Sequence, residues 1–274
     1  MKKGLMTFLL LVTGLFALSA RADVLVLIHG YLGGAYSWDE SGVTAVLQQH
    51  DWQRAGIYVA GPAGVQLIPA EGIQAKQKIY AVDLPSEAPV LVQVYQLHQI
   101  LGAISHTHPG EPVFLVGHSA GGVVARAALV RGQYVNVKAL ITIASPHLGT
   151  SRAEQALDAT DIPFPLSMVT DFFGGDVYDT AMRSRSLYVD LVRPQPGTLL
   201  YWLNAQTHPD IAYFSLIRGP SQAGWGDYVV PTYSQDMNNV AALRGRSSLV
   251  TVPVSHGLEP IDGSAIAQLL SDLK

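Results

Sequence analysis

The sequence predicts an α/β fold built on a mostly parallel, doubly wound sheet with helices on both faces. Three observations predict it. Short aliphatic runs such as Val24-Leu25-Val26-Leu27-Ile28 are apolar at every position rather than every second one, the pattern of a strand covered on both faces. Other segments carry apolar residues at steps of three and four, the pattern of one helix face. These strand and helix patterns alternate along the chain, and alternation implies parallel strands joined by helical crossovers.

Composition narrows the classes further. The chain has 274 residues, 49% hydrophobic and 14% charged, against about 25% charged in an ordinary soluble domain. That excludes a disordered tail. A formal net charge of −4 with no long basic run excludes an electrostatic nucleic-acid binder. The absence of cysteine excludes a disulfide scaffold, a thiolate metal centre and a thiol nucleophile.

Taken in order, the chain opens with Lys2 and Lys3, then an apolar run over residues 5–18, then Ala20-Arg21-Ala22 ahead of Asp23. This is the pattern of a secretory signal peptide over residues 1–22. Its loss removes Lys2, Lys3 and Arg21 and takes the net charge from −4 to −7. No other stretch approaches the ~18 consecutive apolar residues of a membrane span, so a soluble exported protein, periplasmic or secreted, is expected.

The remaining residues, 23–274, read as one domain. A strand at 24–28 runs into the glycine-rich turn His29-Gly30-Tyr31-Leu32-Gly33-Gly34. A helix follows at 40–50. Residues 60–76, with Gly61, Pro62 and Gly64, read as a loop. A second strand covers 78–82. Leu91, Val94, Leu97, Leu101 and Ile104 mark one face of a helix between 89 and 105. A third strand at 113–116 leads into a helix at 120–131, stopped by Gly132. Strands at 139–144, 211–217 and 249–254 complete the sheet. Between the fourth and fifth of these, residues about 152–210 break the rhythm. They mix helix and turn signals with aromatics such as Phe164 and Trp202, and read as a lid-like insertion.

The strongest local signal is Gly117-x-Ser119-x-Gly121, set between a buried strand and a helix. A sharp strand-to-helix turn would strain the serine, expose its hydroxyl and set it at a helix N-terminus, where negative charge is favoured. A serine hydroxyl needs a base within hydrogen-bond reach and an acid to orient that base. Parallel strands align their C-terminal ends along one rim, which singles out His256, after the last strand, as the base. Asp227, in Gly226-Asp227-Tyr228-Val229-Val230-Pro231, is the first candidate for the acid, with Asp236, Asp262, Asp158 and Asp161 as competitors. The backbone N–H of Ala120 and that of Tyr31 are the expected oxyanion donors. His29, Gly30, His118 and His147 are expected to shape the site, with His118 turned away from the serine.

Leu27-Ile28-His29-Gly30, Gly117-His118-Ser119-Ala120-Gly121-Gly122, Ala144-Ser145-Pro146-His147-Leu148-Gly149-Thr150, the Asp227 segment and Ser255-His256-Gly257 occur in that order. Together they resemble the α/β hydrolases of the lipase and esterase type, near the bacterial triacylglycerol lipases and the GPI inositol-deacylase-like branch. The resemblance implies an α/β-hydrolase fold and a Ser119-Asp227-His256 triad. It also implies a lid over an acyl pocket and transient contact of that lid with a lipid surface. The expected activity is hydrolysis of carboxylic esters, of lipids first. A short-acyl esterase, a thioesterase, a deacylase and a non-catalytic binding protein of the same fold are the alternatives. The extra antiparallel edge strands of that fold are expected to be missing. No acidic spacing suggests the structural calcium of many secreted lipases, so no metal and no cofactor is assigned.

Overall fold

The computed structural model describes residues 22–72, 75–132, 136–160, 175–220 and 227–273. Residues 1–21 of the predicted leader, together with Phe164 and Asp161 of the insertion, lie outside them. The chain folds around an eight-stranded sheet in the spatial order β3-β2-β4-β1-β5-β6-β7-β8. The strands are β1 (Val24–Ile28), β2 (Trp52–Gly61), β3 (Gly64–Pro69), β4 (Gln77–Asp83), β5 (Val113–His118), β6 (Val137–Ile143), β7 (Ala212–Arg218) and β8 (Ser247–Val252). Every neighbouring pair is parallel except β2 and β3, which are antiparallel.

The unbroken apolar runs are explained by burial on both sides. All five residues of β1 are fully buried. Val24, Val26 and Ile28 pack with the helices α3 (Val90–Thr107) and α4 (Ala120–Arg131). Leu25 and Leu27 point the other way, toward Trp38, Leu47 of α2 (Val43–Gln48) and Ile266 and Leu270. Each such side chain contributes about 1.5–3 kcal/mol on burial, and the two-residue period shares them between the faces.

Four expectations are corrected. The segment read as a loop, residues 60–76, holds the end of β2 and all of β3, which form a hairpin closed at Gly61 and Gly64, and β3 is an antiparallel edge strand of the kind expected to be missing. Its residues are exposed or half-buried, so no apolar alternation marks it. In β2, a bulge between Arg54 and Gly56 breaks the period. The predicted helix at 40–50 is two short helices, α1 (Ser37–Glu40) and α2, separated by Gly42 with φ +78°. On α3 the buried face runs through Val90, Val94, Leu97, Leu101 and Ile104, and Leu91 lies outside it.

Between β6 and β7 the described residues form four helices, α5 (Ser151–Thr160), α6 (Gly175–Arg183), α7 (Arg185–Leu191) and α8 (Leu199–Asn204). After β7 come α9 (Thr232–Gln235) and, following β8, α10 (Pro260–Asp272). The register aligns the strand ends: Ile28 of β1 sits level with Val82 of β4 and Gly117 of β5, and Ile143 of β6 sits level with His118 of β5 and Leu216 of β7. One rim therefore receives the segments that leave β1, β5, β6, β7 and β8.

Candidate active site

Ser119 occupies the single residue between β5 and α4. Its backbone lies at φ +50° and ψ −126°, a sparsely populated region that costs a non-glycine residue on the order of 1–3 kcal/mol. The neighbours impose it. Ser119 N–H donates to the carbonyl of Ile143 at 2.8 Å, and Gly122 N–H donates to the carbonyl of Ser119 at 3.0 Å. Gly121 must be glycine here, because a Cβ at that position would run into the carbonyl oxygens of His29 and Ile28.

His256, on the irregular segment between β8 and α10, faces this serine. Its Nε2 lies 3.0 Å from Ser119 Oγ, and its Nδ1 lies 2.6 Å from Asp227 Oδ2. With the Nδ1 proton directed at the carboxylate, the Nε2 lone pair accepts from the serine hydroxyl. Asp227 is held by four contacts. Oδ1 accepts from the N–H groups of Val229 (2.7 Å) and Val230 (3.0 Å), and Oδ2 accepts from His256 and from Gln235 Nε2 at 3.0 Å. Burial alone would raise this carboxyl. The hydrogen bond and charge of His256, with the Val230 and Val229 amides, outweigh burial and hold it below the usual carboxylate range.

The competing acids have other work. Asp236 accepts from Asn238 N–H at 2.9 Å and caps a short 3-10 turn. Asp262 is fully buried and paired with Arg218. Asp158 lies on α5.

The turn after β1 forms the second wall. Gly30 approaches so closely that a Cβ there would lie 2.9 Å from Ser119 Cβ. His29 is buried. Its Nδ1 donates to the carbonyl of Gly30 (3.0 Å) and its Nε2 accepts from Leu84 N–H (3.0 Å), which ties this turn to the one after β4. Burial lowers its pKa and keeps the ring neutral. Tyr31 and Ala120 line one cavity with Ser119, and neither backbone N–H forms a hydrogen bond to another described group. The Tyr31 hydroxyl lies 2.5 Å from that of Tyr188 on α7, with the rings edge to face.

His118 does not bond to Ser119. Its Nε2 donates to the carbonyl of His256 at 2.9 Å, and burial followed by the nearby His256 pushes its pKa down to about 3. His147 is fully buried behind the rim. Its Nε2 lies 3.1 Å from Thr142 Oγ1, and its backbone joins Ser234 and Asn204. It contributes no bond to the Ser119–His256–Asp227 chain.

Several supports of the site leave no mark in the sequence. Gln235, eight residues beyond Asp227, carries no local signal. Nor do Thr150 and Arg152, at the start of α5, whose side chains donate to the carbonyls of Val229 and Tyr228 and hold the acid loop. The cavity beside Ser119 measures about 280 Å³ and is mainly apolar, with Leu187, Leu191 and Val230 in its walls. Among the described residues no cluster of His, Asp and Glu could hold a metal ion, and no helix is long and apolar enough to cross a membrane.

Solved structures share this arrangement of strands and helices. The product of the gene lin2722 from Listeria innocua is 15% identical, with 93% of this chain and 96% of that one covered at a TM-score of 0.61. The mature lipase BlEst2 from Bacillus licheniformis is 16% identical, with 93% and 92% covered at a TM-score of 0.56. The fold is that of the α/β hydrolases. A third such hydrolase-fold structure, the RedJ thioesterase of the prodiginine pathway in Streptomyces coelicolor, is 18% identical, with 92% and 91% covered at a TM-score of 0.50. Residues 77–160, from β4 through α5 and including Ser119, match the family model of the PGAP1-like alpha/beta domain. No curated protein matches the chain.

Proposed function

We propose that this hydrolase-fold protein is a serine hydrolase of carboxylic esters that works through an acyl-enzyme. One observation carries the proposal: the continuous chain from Ser119 Oγ through the His256 ring to Asp227, at 3.0 and 2.6 Å, with the serine on a strained turn. Ser119 Oγ attacks the acyl carbonyl while His256 Nε2 takes its proton. Asp227 holds the imidazole tautomer and stabilises the imidazolium. The Tyr31 and Ala120 N–H groups face the developing oxyanion. Collapse breaks the acyl–oxygen bond, and His256 returns the proton to the departing alcohol. Water then attacks the acyl-enzyme with His256 as base, freeing the acid and Ser119.

Ser119→Ala tests this. The variant should keep its fold, lose turnover of p-nitrophenyl esters by a factor of about 10³ or more and fail to react with a fluorophosphonate probe that labels the wild type. Wild-type turnover in the variant rejects the assignment. A folded wild type that neither reacts with the probe nor turns over esters supports the non-catalytic binding protein instead.

The apolar cavity walls support an apolar acyl group, as in lipids. A second reading, a short-acyl esterase, is favoured by the cavity's size, since about 280 Å³ falls just under the ~300–1,000 Å³ of ordinary ligand sites. A chain-length series of p-nitrophenyl esters separates the two. Highest kcat/KM on acetyl or butyryl esters selects the short-acyl reading, and highest kcat/KM on decanoyl or longer selects the lipid one. The leader-like residues ahead of Asp23 support export, and sequencing the protein from the exported fraction should find Asp23 as its N-terminus. Met1 at that position rejects cleavage.

A further inference from the structure

We infer that Arg218 and Asp262 are positioning residues that hold the acid and the base of the site in one frame. This inference rests on the triad role proposed for Ser119, His256 and Asp227.

Arg218 is the last residue of β7, and Asp262 lies in the first turn of α10. Both side chains are fully buried, and they meet in a fork-to-fork pair. Arg218 Nη1 donates to Asp262 Oδ1 at 2.6 Å, and Nη2 donates to Oδ2 at 3.0 Å. The pair then reaches into both arms of the site. Toward the base, Nη2 also donates to the carbonyl of Gly257 at 2.7 Å, and Asp262 Oδ2 accepts from Glu259 N–H at 2.9 Å. Toward the acid, the Arg218 N–H donates to Gln235 Oε1 at 2.8 Å, and the Thr232 hydroxyl donates to the Arg218 carbonyl at 3.2 Å. The other end of that Gln235 amide donates to Asp227 Oδ2.

The base needs this support. His256 sits half-buried on an irregular segment between the exposed Ser255 and Gly257, with Val254 and Leu258 packed against the core. Two successive carbonyls fix its course: that of His256 by the His118 ring and that of Gly257 by Arg218. A planar guanidinium can serve a carboxylate and a carbonyl at once, whereas a single ammonium cannot reproduce the fork. A shift of about 1 Å in a catalytic group costs on the order of a hundredfold in rate, so a clamp remote from the substrate acts on turnover.

Two variants and two readouts test the inference. Arg218→Lys keeps the charge pair and loses the fork. Arg218→Met with Asp262→Leu replaces the pair with apolar side chains of similar size, a change that often preserves or raises stability. The readouts are kcat and KM on a soluble p-nitrophenyl ester and the far-downfield proton resonance of the His256 Nδ1–H···Asp227 bond, recorded without substrate. Both variants should stay folded, with kcat lowered about ten- to a hundredfold, KM little changed and the resonance shifted or lost. A purely structural pair gives the opposite result. A double variant as stable as wild type that regains wild-type kcat and resonance overturns the inference, as does Arg218→Lys with both unchanged. If wild type hydrolyses no ester, the hydrolase proposal fails while the resonance still decides this one.

Discussion

Gln235 Nε2 donates to Asp227 Oδ2, the same carboxylate oxygen that accepts from His256 Nδ1. The buried amide therefore sets the direction from which the acid meets the imidazole. Its second hydrogen goes to the carbonyl of Val230 at 2.7 Å and its oxygen accepts from Arg218 N–H, so it has no freedom to turn.

Gln235→Leu keeps the volume and removes these bonds. A hydrogen bond to a charged group contributes about 1.5–3 kcal/mol. The variant should lose roughly that much stability in urea unfolding and tenfold or more in kcat on a soluble ester. Unchanged kcat in a folded variant shows that the Val229 and Val230 amides suffice to hold Asp227.

Gly121→Ala puts a methyl group against the carbonyls of His29 and Ile28. Backbone cannot step aside as a side chain can, so the turn carrying Ser119 must move. Overpacking of this kind costs about 1–3 kcal/mol. The thermal midpoint should fall and fluorophosphonate labelling of Ser119 should slow about a hundredfold. Labelling at the wild-type rate contradicts the close contact.

Acid should destabilise the protein from near-neutral pH downward. Burial lowers His118 to about 3 and His208 to about 4, and holds His147 well below its usual value. The unfolded chain binds protons on these rings below about pH 6.5, whereas the folded protein does not until pH nears the lowered values. The unfolded state thus binds more protons in that window, and stability rises with pH there and is complete above about 6.5. Unfolding at pH 5 should take up about three protons through these rings alone. His208→Asn should reduce the uptake by about one. A flat urea midpoint between pH 7 and 5 contradicts the neutral burial of these rings.

Much of the fold was legible because doubly covered strands need apolar residues at every position, and β1, β5 and β6 announce themselves that way. The turn at Ser119 was legible because its glycines stand where the chain must pass close to itself. β2 and β3 were not, since an exposed edge strand has little need of an apolar face and Gly56 breaks the period. Asp227 stood first among the acids in sequence, but Asp236 and Asp262 also follow β7, and no local pattern marks the one that meets His256. Three-dimensional contact alone brings Asp227 to His256, and it gives Asp262 a buried arginine and Asp236 a helical turn.

The layered α/β architecture, the strained serine turn and the rim on which a distant histidine would fall are written in the local sequence. Each depends on local period or on glycine geometry, which residues adjacent in the chain encode. Which carboxylate meets the imidazole, and which side chains hold it there, is set by long-range contacts in the folded chain. Gln235, Arg218 and His118 act through single directed hydrogen bonds between segments far apart in the chain, and no periodicity or spacing records such a bond.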